Sequence, residues 1–350
     1  MASAGKKAAL GSLVSRLCKA VTPGRLLGVM GLVALVWKAC SSVYQASYVW
    51  QCTSLATALR PVARTSCPMP SLAAPTTAVA AKRFAVVMIY DEAFDSDKEA
   101  TRLILSNRRL YCERHKYEML IARNDELDGS RPAAWSKLLV VLKHLRRFDY
   151  VFYMDMDVVV TNPLFGLDAL VGSYPTSDII MTNDWSGPNT GMWLARNTPW
   201  TNKFLQLAWD EGATLVDKYD KSTGRKHPFE YEQRVFHQLL DSDVWRARGL
   251  PRYVAPPTAG AGFSTSVEIR EHFSFAPQCA FNSYSLHPFD TRLMSGAASA
   301  EQSQWVPGDF VVHFAGKKGR AKTDLIKHYI LLAEQPPVVS LRGANGTPSK

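Results

Sequence analysis

The segment Tyr150–Asn162, "YVFYMDMDVVVTN", runs from apolar residues into two carboxylates and straight back into three valines. An unpaired carboxylate inside a buried strand costs about several kcal/mol or loses its charge through a shifted pKa. Asp155 and Asp157 must therefore close a strand, with something beside them that makes their charge tolerable. On an extended segment, residues i and i+2 point to the same side, roughly 7 Å apart. Two like charges so placed repel unless a cation lies between or beside them. A hard divalent cation such as Mg²⁺ or Mn²⁺ takes oxygen ligands and keeps positions open for phosphate oxygens. The plain alternative is a strand that ends in solvent.

The segments ahead of this pair alternate in period. Phe84–Tyr90, Tyr117–Ala122 and Tyr150–Met154 are short, β-rich apolar runs and read as strands. Between them, Ser96–His115 reads as a helix capped by Ser96 or Asp97, and Pro132–Arg147 as a helix with an apolar face from Trp135 to Leu145. Strand, helix, strand, helix, strand predicts a parallel α/β sheet, whose ligands bind at the carboxyl ends of strands. The two aspartates stand at such an end. Further along, Asp178–Asp184, Thr190–Arg196 and Asp309–Ala315 read as strands. Thr198–Glu211, Phe229–Leu240 and Lys322–Leu332 read as helices.

The net charge of +10 suggests nucleic acid, but its distribution does not. Ten of the 41 Lys and Arg precede the first acid, Asp91, and the remaining 31 balance 31 Asp and Glu. A basic excess confined to one end reads as targeting, so no nucleic-acid partner is expected. Of six cysteines, only Cys112 and Cys279 fall in the globular part, and no CxxC occurs. A structural zinc is not expected, and a Cys112–Cys279 disulfide is open.

Residues 1–20 read as a basic tail and 21–50, around "LLGVMGLVALVW", as a signal anchor placing that tail in the cytosol. A cleaved signal, a transit peptide or a buried helix would use similar residues. The Pro/Ala/Ser/Thr-rich segment 51–82 reads as a stem, 83–335 as the folded domain and 336–350 as a tail.

Three kinds of enzyme use paired carboxylates in this way. A nucleotide-sugar transferase holds the donor diphosphate through a metal. A phosphatase of the haloacid-dehalogenase type uses DxDx[TV], which "DMDVV" fits, but that motif opens its domain and needs a further acidic pair. A glycosidase takes its two acids from different strands. The first fits best. A non-catalytic glycan-binding subunit on the same fold is a further alternative.

Seven segments in order sharpen this. They are "SNRRLYCERHKYE" (Ser106–Glu118), "WSKLLVVLKHL" (Trp135–Leu145), "YMDMDVVVTN", "NTGMWLARN" (Asn189–Asn197), "YEQRVF" (Tyr231–Phe236), "PQCAFNSY" (Pro277–Tyr284) and "VVHFAGKKG" (Val311–Gly319). Together, over about residues 83–333, they resemble the retaining glycosyltransferases that include galactomannan galactosyltransferases, xyloglucan xylosyltransferases and yeast α-1,6-mannosyltransferases. The resemblance implies a GT-A fold, a Rossmann-like and mostly parallel sheet flanked by helices. It implies Asp155, Asp157 and His313 as metal ligands, with Mn²⁺ suiting an imidazole better than Mg²⁺. It implies Lys137, Asp155, Asp157, Asn189, Gly191 and Lys318 as donor-binding residues. Glu232 and Gln233 are implied beside the reacting carbon, and Asp184 and Trp185 on the acceptor side. Tyr231 stands where the family often has a second acid, and Lys317 where it often has Cys. The implied partners are a nucleotide-sugar donor, a glycan acceptor, the membrane and other glycosyltransferase subunits. The implied place is the Golgi membrane, single-pass and type II, with the catalytic domain lumenal.

Overall fold

The computed structural model describes residues 82–91, 97–184, 187–216, 231–247, 265–285, 304–317 and 319–333. All belong to one compact unit, Arg64–Lys350. The expected tail, anchor and stem therefore lie outside the described residues, as do Trp185, Lys318 and the C-terminal tail. Among the described residues no helix is long and apolar enough to cross a membrane.

The chain runs β1 (Phe84–Ile89), α1 (Lys98–His115), β2 (Glu118–Ala122), α2 (Ser136–Leu145), β3 (Tyr150–Met154) and β4 (Val158–Val160). It continues with α3 (Leu167–Ser173), β5 (Ile179–Asp184), β6 (Gly187–Arg196), α4 (Pro199–Val216), α5 (Gln233–Leu239) and α6 (Asp243–Ala247). Then come α7 (Ser266–Glu271), β7 (Phe273–Ala276), α8 (Gln278–Phe281), β8 (Ser283–Tyr284), β9 (Val311–His313) and α9 (Gly319–Ala333). Asp97 caps α1, accepting from the Glu99 and Ala100 amides at 3.0 Å each. This is one of the two caps expected.

The result is a mixed α/β fold. Its six-stranded sheet has the order β2-β1-β3-β6-β5-β7. The first three strands are parallel, as the alternation predicts. Beyond them the expectation of a parallel sheet needs correction, because β6 runs antiparallel to both β3 and β5. β5 and β6 are consecutive with two residues between them, and so short a connection cannot make a parallel crossover. A second sheet, β4-β9-β8, gathers strands from three distant parts of the chain. β9 is shorter than the expected Asp309–Ala315. The Phe229–Leu240 helix begins only at Gln233, with residues 229–230 outside the described set.

Both faces of the central sheet are covered, which explains runs without a polar face. Alternate residues of β1 divide between two cores: Ala85, Val87 and Ile89 pack with Trp135, Leu138 and Trp193. Phe84, Val86 and Met88 pack with Tyr111, Phe152 and Phe310. Cys112 lies in the second core as a free thiol, while Cys279 is disulfide-bonded, so the two are not joined to each other. Burial pushes the Cys112 thiol up to about 12.

Asn107, Tyr111 and His115 lie four residues apart, on one face of α1. Together with Tyr117 they clasp the chain that follows the carboxylates. Asn107 donates from Nδ2 to the Val160 carbonyl and accepts from the Val160 amide, both at 2.9 Å. It thereby replaces a neighbouring strand at the free edge of β4. Tyr111 donates to the Phe165 carbonyl at 3.1 Å, and His115 Nε2 to the Pro163 carbonyl at 2.8 Å. The Tyr117 hydroxyl accepts from the Leu167 amide at 2.8 Å and donates to Asp168 Oδ2 at 3.3 Å. Asn107→Ala would leave both polar groups of buried Val160 unpaired. It is expected to lower stability by about 2 kcal/mol or more, read as a drop in the thermal unfolding midpoint. Cys112 is expected to resist alkylation at pH 8 in the folded protein and to react on unfolding, checked by mass spectrometry.

Candidate active site

The carboxylates do not continue β3. They occupy a turn between β3 and β4, stitched on both sides by backbone bonds. The Asp155 amide donates to the Gly191 carbonyl at 2.8 Å, and the Phe314 amide to the Asp157 carbonyl at 2.9 Å. From beneath, fully buried Arg108 donates to the carbonyls of Met154 (3.4 Å) and Val158 (3.1 Å) and to that of Asp155. Burial pushes this guanidinium down to about 10, against the pull of Tyr153, Asp155 and Asp157. The turn is thus held by its backbone, leaving the two carboxylates to point elsewhere.

His313 arrives through strand register. β4 pairs antiparallel with β9 so that Val158 lies opposite His313, next to Asp157. The histidine is buried, and its Nδ1 lies 2.8 Å from Asn282 Oδ1. Asn282 is itself oriented by donating from Nδ2 to Thr182 Oγ1 at 2.9 Å. The ring therefore donates from Nδ1, and a neutral imidazole then carries its lone pair on Nε2. That nitrogen faces Asp157 Oδ1 at 3.4 Å. A lone pair against a carboxylate oxygen is repulsive until a proton or a metal ion lies between them.

Asp155, Asp157 and His313 offer ligand atoms that all lie within 4.8 Å of one another. Two carboxylate oxygens and a nitrogen with its tautomer fixed from behind form a donor set that suits a borderline divalent ion such as Mn²⁺. Burial pushes the Asp157 carboxyl up, but a proton on the facing His313 nitrogen and then Lys322 outweigh it and hold it well below the usual range. Gly191 completes the cradle: a Cβ there would lie 2.5 Å from His313 Cε1 and 3.2 Å from Asp155 Oδ2.

A second group adjoins the first. Lys137 Nζ lies 2.6 Å from Glu232 Oε1 and 3.3 Å from both Asp155 Oδ1 and the Thr190 carbonyl. Lys137 and Glu232 are 3% and 2% exposed, so this is a sealed ion pair. Burial pulls the ammonium down, but Asp155 and Glu232 together hold it above its usual value. Tyr153 donates to Asp155 Oδ1 at 2.8 Å. Thr190 Oγ1 donates to Glu232 Oε1 at 2.7 Å, and its amide to Gln233 Oε1 at 3.3 Å. Glu232 Oε2 is buried and lacks a hydrogen-bond partner among the described residues.

Thr190 and Gly191 stand where β5 and β6 fall out of step. Met181 pairs with Trp193 but Thr182 with Asn189, so residues 190–192 bulge from β5. Such irregularities re-aim side chains beside active sites. At the far end Asn189 Nδ2 donates to Asp184 Oδ2 at 2.8 Å and to the Tyr284 hydroxyl at 3.0 Å, while Tyr284 donates to Asp184 Oδ2 at 2.6 Å.

Of the residues singled out in the sequence, Lys137, Asp155, Asp157, Asp184, Asn189, Gly191, Glu232, Gln233 and His313 form this connected group. His313 is not a plain core histidine. Lys137 contacts Asp155, Glu232 and the Thr190 carbonyl. Arg108, Asn282, Tyr284 and Lys322 also belong to the group. Their place follows only from partners far along the chain. Gly191→Ala is expected to displace His313 and weaken Mn²⁺ binding about tenfold or more. Titration followed by the resonance of free Mn²⁺ checks this, with circular dichroism reporting an intact fold.

Residues 80–174 match the galactosyl transferase GMA12/MNN10 family. An uncharacterised α-1,2-galactosyltransferase of Schizosaccharomyces pombe is 20% identical over 282 residues, 68% of this chain and 69% of that protein. Galactomannan galactosyltransferase 1 of Cyamopsis tetragonoloba is 25% identical over 149 residues, 39% of this chain and 32% of that protein. Among solved structures, galactosyltransferase LgtC with donor and acceptor sugar analogues aligns over 71% of this chain and 95% of that one. Its TM-score is 0.44 at 12% identity. The family match takes in the α1 clasp, the Lys137 helix and the carboxylate turn; the chain is a glycosyltransferase that is similar over those residues to the galactosyl transferase GMA12/MNN10 family.

Proposed function

We propose that the chain is a metal-dependent, retaining glycosyltransferase of GT-A organisation. It transfers galactose, or another hexose or a pentose, from a nucleotide diphosphate to a glycan hydroxyl with an α-linkage. The observation that carries this reading is the convergence of Asp155, Asp157 and His313 on one point beside the Lys137–Glu232 pair.

Asp155, Asp157 and His313 would hold Mn²⁺, which when bound neutralises the diphosphate as it leaves. Lys137 couples the two halves of the site, since one ammonium contacts both a metal-side and a sugar-side carboxylate. Glu232 and Gln233 face the sugar. Glu232 Oε1 is held by Lys137 and Thr190, which suits positioning and charge stabilisation rather than attack as a mobile nucleophile. The acceptor hydroxyl would then approach on the face from which the diphosphate departs. Asp184 and Tyr284 form the acceptor wall and are tied to Asn189 on the donor side. Trp185 on that side and Lys318 on the diphosphate side are carried by family resemblance alone. So are a Golgi lumenal setting and anchorage through residues 21–50.

Incubation of the full-length protein with a panel of nucleotide sugars, glycan acceptors and Mn²⁺ tests this, the product anomer being read by NMR. Asp155→Ala and Asp157→Ala are each expected to reduce transfer by about 10²-fold or more. Full activity in either variant would overturn the reading. Release of inorganic phosphate without transfer would instead mark a phosphatase.

A further inference from the structure

Among the described residues, Arg108, Lys137 and Lys322 contact the carboxylate turn, and they differ in access. Arg108 and Lys137 are sealed inside and tied to fixed partners. Lys322 reaches Asp157 Oδ2 at 3.0 Å with a side chain 31% exposed. It stands at the end of the first turn of α9, where a positive charge runs against the helix dipole. That position is unfavourable unless an anion shares it. Asp157 turns Oδ1 to His313 and Oδ2 to Lys322, so it can ligate a metal through one oxygen while the other keeps the lysine. An ammonium has three N–H donors, and the contact with Asp157 uses one.

We propose that Lys322 is a donor-binding residue that counterbalances Asp157 in the ligand-free protein and turns its remaining N–H donors to diphosphate oxygens when a nucleotide sugar enters. This rests on the metal–diphosphate reading above. It has a consequence that a merely structural ion pair lacks. A cation beside the metal site opposes Mn²⁺ on its own but favours the anionic donor, so removing it moves the two affinities in opposite directions.

The test uses purified full-length protein, wild type, Lys322→Met and Lys322→Arg. Mn²⁺ alone is titrated by magnetic resonance, and UDP and GDP by calorimetry at saturating Mn²⁺. Lys322→Met is expected to bind Mn²⁺ alone about tenfold or more tightly, the repulsion between one positive charge and a divalent ion at ~5 Å in water. It is expected to bind the nucleoside diphosphate about tenfold or more weakly, through loss of a charge-assisted hydrogen bond. Lys322→Arg should restore most of the diphosphate affinity. Unchanged affinities, or parallel weakening of both with a lower unfolding midpoint, would overturn the proposal. If the wild type itself binds neither nucleoside diphosphate, the underlying metal–diphosphate reading fails and the proposal with it.

Discussion

The repulsion between Asp155 and Asp157 sets the terms for everything around them. Two carboxylates in one turn, flanked by buried strands, need opposite charge on several sides at once. The protein supplies it in layers. Arg108 lies below the turn and takes its carbonyls, Lys137 sits at the flank and Lys322 at the mouth. None of these removes the need for a further ion, because His313 still presents a nitrogen to Asp157 with its other nitrogen committed to Asn282. Cationic neighbours lower the cost of folding around the aspartates. Their arrangement leaves the ligand atoms of Asp155, Asp157 and His313 within 4.8 Å of one another.

Much of this frame was legible in the sequence, for a physical reason. The strands β1 and β3 are buried on both faces and β2 is their apolar edge neighbour, so composition alone marks them, and the helices between them carry one apolar face, the first with the Asp97 cap. Periodicity is a local signal. It fails at β6, which pairs antiparallel with the strand just before it, and at the bulge over 190–192. The carboxylate turn illustrates the limit. Its residues were legible, but the extended geometry expected for them was not adopted, since the backbone bonds from Gly191 and Phe314 bend the chain there.

The site itself divides along the same line. Asp155, Asp157, His313, Glu232 and Gln233 were reached through the order of motifs rather than through chemistry readable in any one of them. Arg108 gave no signal because an arginine on a helix is ordinarily solvated, and only the fold turns it inward. Asn282 and Lys322 are bound to partners 31 and 165 residues away, and no local pattern reports such a contact. By contrast, Asn107, Tyr111, His115 and Tyr117 lie in the segment Ser106–Glu118, which enters the family resemblance as a pattern only. The clasp on residues 160–168 gives that pattern a physical reason, in securing the chain just beyond Asp155 and Asp157.

The pairing of Val158 with His313 also bears on how such a chain can change length. Side chains alternate faces along a strand, so a slip of one residue would swing the imidazole to the opposite side of its sheet. Segments joining the elements can grow or shrink, because the added entropy of a longer loop is small. A single inserted or deleted residue within 158–160 or 311–313 has no such latitude. These two short strands act as the fixed marks of a ruler, and the variation open to the chain must fall between them.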